Sequence, residues 1–503
     1  MKKINSFSLC GWMVLSAWLV FGTTSATAQI PTPTFNFDGM AASILNGVAN
    51  PDVNGAVGAT QYVQFENATG TVTGSTGSGN FAVWNKATGA LVWGPYATDG
   101  LWKGSAPPCA GTGGGQTLVL YDRLASVWIV ARHIYPVNSP TYLCLAISQK
   151  SDFTAHLKGG VPAFNHYSYE LPALCPTCVD NDEMDSPKFG VWPDAYYMSF
   201  NLLGAAAPHA FVSPLVCAFD RTSMIAGTTA AAPVCFQPPN TFESLLPSDL
   251  DGPTPPPTGS PNYFMNLGKS ALNVWQFHVD FTTPTNSTFT GPTSVAVPAY
   301  TPACPGRSGV CIPQLATPPL GCTPQPNCYP PSLLQGWSDR LMYRLSYRNF
   351  GTYESILATH SIDPATSAYS ASRWYEVRTP ATPTLYQWGA FEPDNTSRWM
   401  GTIAQDDVGD IALGYSASSA TQYPAILYTG RVPTDALGTL ETEVSVIQGA
   451  GNQVFNTSWG GYTSLSIDPV DDCTFWFTNQ YYSQQGSKTW NTRIASFKFA
   501  GCN

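Results

Sequence analysis

The sequence carries little charge for its length. Only 11% of its 503 residues are Asp, Glu, Lys or Arg, against about 25% in a typical globular domain. The formal net charge is −10, and after Lys2 and Lys3 no run of basic residues occurs. Because proteins that bind nucleic acids need basic side chains to neutralise phosphates, we exclude nucleic acid as a partner.

Long apolar runs are also scarce. One such run, from about Cys10 to Phe21, follows Lys2 and Lys3 and ends before the small residues of Ala26–Ala28. This order is typical of a cleaved secretory signal, and the run is too short to span a bilayer comfortably. We predict a signal peptide over residues 1–28. The mature protein, residues 29–503, should then be secreted or periplasmic, without a membrane span.

Common catalytic and metal-binding motifs are missing from the sequence. It contains no HExxH, GxSxG, CxxCH or phosphate-binding P-loop, and its six histidines are scattered. The acidic segments Asp180–Asp185 and Ser248–Gly252 offer oxygen atoms of the kind that calcium prefers. Solvated acidic turns are the alternative interpretation. We therefore expect no cofactor, with calcium as the one candidate ion.

The cysteines are numerous and even in number after the signal. Thirteen are present, and Cys10 lies within the predicted signal peptide. An even set in an exported chain favours disulfides, although spacing does not fix their connectivity. Pairing sequence neighbours predicts six bridges: Cys109–Cys144, Cys175–Cys178, Cys217–Cys235, Cys304–Cys311, Cys322–Cys328 and Cys473–Cys502. A redox-active pair or half of a zinc site is the alternative for the Cys175–Cys178 motif.

What the chain has in abundance is the pattern of a β-hairpin. Seven segments join an apolar run, a polar or acidic turn and an aromatic-rich run, and further strand-like runs follow each one. Examples are Gln116–His133, Lys188–Asn201, Trp399–Ser418 and Ser466–Tyr482. No long segment has the 3.6-residue period of a helix. The repeat therefore predicts an all-β, seven-bladed β-propeller with four-stranded antiparallel blades.

The last unit has only three strands and ends at Phe499. The N-terminal run Thr32–Gly39 offers a fourth strand, which would close the ring and remove an unpaired edge. We expect Phe35–Phe37 to pair with Ile494–Phe499. A pair of β-sandwiches, or two separate domains, is the alternative to this single domain, which we expect to be a monomer.

One insertion, at about residues 301–337, interrupts the repeat with four cysteines and many prolines. We interpret it as a loop held by disulfides between two blades. Long ordered loops on such folds often form part of a binding face, and a rigid lid without a ligand is the alternative.

In a propeller, the starts of the innermost strands converge around the central channel. Arg side chains there suit carboxylates, including those of acidic sugars, and Trp side chains can stack on sugar rings. The predicted substrate-binding residues are Gln116, Lys188, Arg340, Arg398, Trp399 and Trp459. The predicted catalytic residues, chosen as groups able to transfer protons, are Asp52, Asp185, Asp339 and Tyr462. The alternative is that these polar groups only satisfy one another across the channel mouth.

The segment WGGYTSLSIDP, Trp459–Pro469, resembles the strand that carries the tyrosine of sialidase-type propellers. The resemblance implies that Tyr462 is a nucleophile-like tyrosine and that Arg340 and Arg398 belong to an arginine cluster. The whole chain resembles secreted bacterial β-propeller proteins without an assigned activity. We expect a carbohydrate-active protein, a glycoside hydrolase or polysaccharide lyase for acidic extracellular glycans. A non-catalytic propeller that binds a cell-surface ligand is the alternative.

Overall fold

The structure of the protein is a computed structural model. It describes residue 1 and residues 30–42, 50–67, 79–110, 116–135, 140–157, 159–175, 177–178, 182–204, 209–304, 309–315, 333–364, 369–378, 382–454, 456–486 and 489–502. The predicted signal peptide beyond residue 1, the predicted Cys322–Cys328 bridge and much of the insertion lie outside the described residues.

The described residues form an all-β protein. The short helical segments among them are the α-helices Leu171–Leu174 and Arg221–Ala226 and the 3-10 turns Thr98–Trp102 and Pro284–Asn286. No helix in this part of the chain is long and apolar enough to cross a membrane.

The strands are numbered along the chain and grouped by their pairing. Strand β1 covers Phe35–Ala41. Sheet 1 contains β2 (Asn54–Val57), β3 (Gln61–Glu66), β4 (Asn80–Asn85) and β5 (Leu91–Ala97). Sheet 2 begins with β6 (Thr117–Asp122), β7 (Val127–Ile134) and β8 (Tyr142–Ser148). After a short pair, β9 (His156–Leu157) and β10 (Val161–Pro162), sheet 2 is completed by β11 (Phe164–Glu170).

The next two sheets are again antiparallel. Sheet 3 contains β12 (Glu183–Val191), β13 (Ala195–Leu203), β14 (Phe211–Asp220) and β15 (Val234–Phe236). Sheet 4 contains β16 (Leu246–Asp251), β17 (Asn262–Gly268), β18 (Ala271–His278) and β19 (Thr288–Ala296). The insertion follows, with the short strands β20 (Thr301–Pro302), β21 (Val310–Ile312) and β22 (Leu334–Gln335).

The remaining strands form three further antiparallel sets. Sheet 5 contains β23 (Leu345–Asn349), β24 (Glu354–Asp363), β25 (Ala371–Arg378) and β26 (Thr384–Phe391), and β20 pairs with β24. Sheet 6 contains β27 (Ser397–Gln405), β28 (Ile411–Ser419), β29 (Gln422–Arg431) and β30 (Val444–Ile447). Sheet 7 contains β31 (Ser464–Ile467), β32 (Phe475–Tyr482), β33 (Trp490–Phe497) and, beside β33, strand β1.

Strand β1 is therefore the fourth strand of the last sheet. It runs antiparallel to β33, with Phe35 opposite Ser496 and Phe37 opposite Ile494. The ring of Phe35 stacks on Trp476 of β32 at 6.0 Å between centroids. The two segments that the sequence predicted to be partners are thus paired.

The first strands of the sheets contact one another in sequence order. The contacts run from β2 to β6, β12, β16, β23, β27 and β31, and from β31 back to β2. Strands β7 and β32 are buried along their whole length because neighbouring sheets pack on both of their faces. Outer strands such as β5 and β19 are largely exposed.

One pairing differs from separate four-stranded blades. Strand β16 pairs with β17 only through Leu246 and Pro247, and its remaining residues pair in parallel with β23, from Ser248 opposite Leu345 onward. Sheets 4 and 5 are consequently joined into one nine-stranded sheet, which also includes β20.

Five of the predicted disulfides are present among the described residues. They are Cys109–Cys144, Cys175–Cys178, Cys217–Cys235, Cys304–Cys311 and Cys473–Cys502. The Cys175–Cys178 motif is thus a disulfide, and its cysteines hold no zinc in this form.

Candidate functional site

A cavity of about 110 Å³ lies where the first strands of several sheets begin. Of the ten site residues that the sequence predicted, six line it: Asp52, Gln116, Asp185, Lys188, Arg340 and Tyr462. They precede or belong to five different sheets, so the fold gathers groups that are far apart in the chain. These six side chains, all at or near the starts of first strands, therefore lie around one cavity.

A bulge in β12 places Asp185 and Lys188 on the same face. Asp185 lies opposite Asn201 and Lys188 lies opposite Ser199, so Ser186 and Pro187 together face one residue of β13. A bulge of this kind re-aims side chains, and it tolerates a proline that has no N–H to donate. Ser186 has a φ of 49°, which the bulge requires.

Lys188 and Tyr462 form the central contact of the cavity. The Lys188 Nζ donates to the Tyr462 hydroxyl at 2.7 Å, and to the carbonyls of Ser186 and Pro187 at 3.3 and 3.4 Å. The hydroxyl lies 2.8 Å from the Pro187 carbonyl and 3.0 Å from the Gln116 Oε1. Because a hydroxyl has a single proton, it can donate to only one of these two acceptors at a time.

Burial shifts the pKa values of this pair in opposite directions. It lowers the pKa of Lys188 to about 7; the Arg340 charge adds to this fall, and Asp185 and Asp52 oppose it. Burial, together with the nearby carboxylates of Asp52 and Asp185, raises the pKa of Tyr462 well above its ordinary value. At neutral pH the amine is therefore partly unprotonated while the phenol keeps its proton.

Asp52 is enclosed by hydrogen-bond donors. Its carboxylate accepts from the Gly461 N–H, from Asn67 Nδ2 at 2.7 Å, from Gln116 Nε2 at 3.1 Å and from Asn50 Nδ2 at 3.3 Å. Burial raises the pKa of Asp52, and the donors from Gly461, Gln116 and Asn50 pull it back down. Asp52 binds the Nε2 of Gln116, which leaves the Oε1 of Gln116 facing Tyr462.

Arg340 lies at the edge of the cavity between an acid and an aromatic ring. Its Nε and Nη2 donate to Asp339 at 2.8 and 3.0 Å, and its Cζ lies 4.6 Å from the centroid of the Trp337 ring. Glu243 lies 3.8 Å from the same guanidinium group. Asp339 thus sits beside the cavity as the partner of Arg340 and does not line it.

Three predicted ligand-binding residues are instead packed inside the fold. Arg398 is fully buried, with ion pairs to Glu443 at 2.6 Å and Asp394 at 3.0 Å. Trp399 and Trp459 are buried against each other, 5.6 Å between ring centroids. The expectation that these side chains line the binding surface is corrected, because ion pairing and core packing already enclose them.

Sequence reasoning missed Tyr343, which lines the cavity beside Tyr462. The two rings meet edge to face at 5.8 Å, and the Tyr343 hydroxyl donates to the Phe189 carbonyl at 3.1 Å. Its position three residues after Arg340, just before β23, was the available signal. Asn50, Ser186, Trp337, Leu341, Met342 and Gly461 complete the lining.

A second, smaller cavity of about 40 Å³ lies along the first strands and shares Tyr343 with the first one. Here Arg344 donates to Asp249 at 2.9 Å and to Asp251 at 2.8 and 3.0 Å. In the segment Ser248–Gly252, which the sequence offered as a calcium site, both carboxylates therefore accept hydrogen bonds from the Arg344 guanidinium group. Within the described ranges, no group of three or more His, Cys, Asp or Glu side chains is arranged to hold a metal.

Comparisons with known proteins give only distant likenesses. No protein-family model and no curated protein matches the chain. Among solved structures, a fungal alcohol oxidase in complex with copper aligns with a TM-score of 0.46 at 10% identity, over 93% of this chain and 77% of that one.

Two further solved structures are enzymes named for their carbohydrate substrates. An α-L-arabinofuranosidase from Fusarium graminearum aligns with a TM-score of 0.39 at 8% identity, over 94% of this chain and 99% of that one. An ulvan lyase, from a family of polysaccharide lyases, aligns with a TM-score of 0.39 at 10% identity, over 93% of this chain and 95% of that one. Similarity at this level does not indicate the function of this chain.

Proposed function

We propose that residues 29–503 form a single, secreted and monomeric domain, a seven-bladed β-propeller that strand β1 closes. The succession of contacts among the seven first strands supports the blade count. The pairing of β1 with β33 supports the closure, since it covers an edge that would otherwise lack a partner. Five disulfides are typical of an exported protein.

We further propose that the cavity is the active site of a polysaccharide lyase that cleaves acidic extracellular glycans. One observation carries this proposal: the Lys188 amine contacts the Tyr462 hydroxyl at 2.7 Å in a cavity that Arg340 also lines. A base, an acid and a carboxylate-binding group are the three parts that elimination at a uronate sugar requires.

In the proposed reaction, neutral Lys188 takes the proton from the carbon next to the uronate carboxylate. The electron pair of that C–H bond forms a double bond to the neighbouring carbon, whose bond to the glycosidic oxygen breaks. Tyr462 gives its proton to the departing oxygen, and Arg340 holds the carboxylate while negative charge develops on it. Gln116 orients the hydroxyl of Tyr462, and Asp52 holds Gln116.

Hydrolysis fits the cavity less well than elimination. A tyrosine nucleophile must give up its proton, and burial together with the carboxylates of Asp52 and Asp185 raises the pKa of Tyr462 well above its ordinary value. The arginine cluster of the sialidase resemblance loses Arg398, which is buried elsewhere. Asp52 is held by four donors and has little capacity to act as a second catalytic carboxylate.

The test is an assay of a panel of uronate-containing and neutral polysaccharides, followed by the ultraviolet absorbance of the new conjugated double bond. Wild type should release unsaturated products from acidic polymers only. Tyr462→Phe should lower kcat by about 10²–10⁴-fold, the usual contribution of a positioned acid. Tyr482→Phe is the matched control, because it removes a buried hydroxyl that bonds Gln453 outside the cavity. Equal turnover by Tyr462→Phe and wild type would refute the assignment.

Binding without turnover is the second candidate function. The observation that favours it is that the polar groups of the cavity already satisfy one another, as Arg340 does with Asp339. Calorimetric titration with the same polysaccharides separates the two candidates. A binding protein would give heat of binding to acidic polymers, reduced in Arg340→Ala, with no product at any enzyme concentration.

A further inference from the structure

We propose that Lys188 is also a nucleophile, which forms an imine with small carbonyl compounds that carry a carboxylate, the class of the 2-oxo acids. This reactivity goes beyond the proposed lyase reaction, in which Lys188 only moves a proton. It depends on the position of the amine in the cavity and on the groups around it.

The amine of Lys188 is held at the cavity wall by three acceptors. Only 6% of the residue is exposed, and its Nζ contacts the Tyr462 hydroxyl and the carbonyls of Ser186 and Pro187. A neutral amine has two N–H donors and one lone pair. When one donor stays on the Tyr462 hydroxyl and the other on a carbonyl, the lone pair of Lys188, which itself lines the cavity, is left free to react.

Tyr462 is placed to move the proton that imine formation requires. The lone pair of Lys188 adds to the carbonyl carbon, which leaves a positive charge on nitrogen and a negative charge on oxygen. The hydroxyl of Tyr462, 2.7 Å from the nitrogen, takes a proton from it and passes its own proton to that oxygen. Loss of this oxygen as water then gives the carbon–nitrogen double bond.

Arg340 supplies the reason for expecting a carboxylate on the carbonyl compound. It lines the same cavity, and its charge acts on Lys188 strongly enough to lower the pKa of the amine. A guanidinium group has five N–H donors, and the bonds to Asp339 occupy its Nε and Nη2 positions. A ligand carboxylate at Arg340 would bring an adjacent carbonyl group toward Lys188.

The surroundings of Lys188 also favour its free amine over the ammonium form. The charged and titratable groups that act on it or contact it are Asp52, Asp185, Arg340 and Tyr462. With a pKa of about 7, roughly half of its amine is free at pH 7. An ordinary lysine, with a pKa of about 10.4, is free in only about one molecule in 2,000.

The experiment is borohydride trapping of the full mature protein with pyruvate at pH 7. We expect one addition per chain, equal in mass to pyruvate less one oxygen atom, and peptide mapping should place it on Lys188. Lys188 should be labelled at least about tenfold more than an exposed lysine such as Lys150, given the small free-amine fraction of an ordinary lysine. Acetone, which has no carboxylate, serves as the control carbonyl compound and should label Lys188 more slowly.

Two variants sharpen this test. Lys188→Arg keeps a positive charge but should abolish the single addition, and Tyr462→Phe should slow it while leaving the label on Lys188. Labelling spread evenly over the surface lysines of the wild-type protein would overturn the proposal, and this result requires no variant to fold. Trapping does not depend on polysaccharide cleavage. The imine proposal can therefore hold if the lyase assay fails, and the lyase proposal can hold if trapping fails.

Discussion

Replacing Lys188 with methionine should stabilise the protein at neutral pH. The side chain is 6% exposed, and methionine fills a similar length without a charge to bury. Its pKa of about 7 means that the folded state holds the ammonium form much less readily than the unfolded chain does. An unfolded lysine titrates at about 10.4, so the difference is roughly 3.4 pKa units.

The sign of the effect follows from proton binding. Between pH 7 and about 10.4 the unfolded chain binds the Lys188 proton and the folded chain does not, so wild-type stability rises with pH by about 1.4 kcal/mol per unit. Below pH 7 Lys188 is protonated in both states. The cost of keeping its ammonium group buried in the folded state is then constant at about 4–5 kcal/mol. Methionine removes this cost. It also leaves the acceptors around the amine without a donor, which lowers the stability by about 1–3 kcal/mol.

The measurement is urea unfolding of wild type and Lys188→Met at several values between pH 6 and pH 9. The advantage of the variant should be largest at pH 6–7 and should shrink by about 2–3 kcal/mol by pH 9. Lys498→Met, at a side chain that is 32% exposed, is the control and should show no such trend. A difference between wild type and Lys188→Met that stays constant over this range would refute the shifted pKa of Lys188.

Three other changes test the fold and the proposed reaction. Replacing both Cys473 and Cys502 with serine removes one bridge and should lower the free energy of unfolding in urea by about 2–4 kcal/mol. Gly190→Ala would place a Cβ 2.3 Å from the Ser248 carbonyl, so overpacking should cost about 1–3 kcal/mol in thermal unfolding; an unchanged melting temperature would contradict the close approach of β12 and β16. If Lys188 is the base, kcat/KM on an acidic polysaccharide should rise as pH increases through about 7, and a flat profile would exclude that role.

The parts of the structure that the sequence predicted are those set by local chemistry. Ser466–Tyr482 has an acidic turn between two apolar runs, and it contains the end of β31, the turn and all of β32. Cysteines such as Cys217 and Cys235 pair as near neighbours because their strands, β14 and β15, are adjacent in the same sheet. Hydrophobic alternation and turn residues act over a few positions, so they can be recognised without tertiary information.

The parts that could not be predicted depend on partners far away in the chain. Arg398 begins an inner strand as the cavity residues do, but Glu443, 45 residues later, holds it inside the fold. The acidic segment around Asp249 suits a cation, but no local pattern indicates that the cation is Arg344, 95 residues away. Charge and strand position alone do not distinguish a buried ion pair from a ligand-binding group.

The contrast between Arg344 and Lys188 shows what decides whether a buried cation keeps its charge. Both are nearly enclosed, and Tyr343 separates them, since it lines both cavities. Arg344 has two carboxylates in direct contact, which raise its pKa, so it keeps its charge and joins β16 to the segment before β23. Lys188 contacts only a hydroxyl and two carbonyls, and its pKa falls to about 7. Compensation by carboxylates, more than burial, therefore separates Arg344, which keeps its charge, from Lys188, whose amine is partly free at neutral pH.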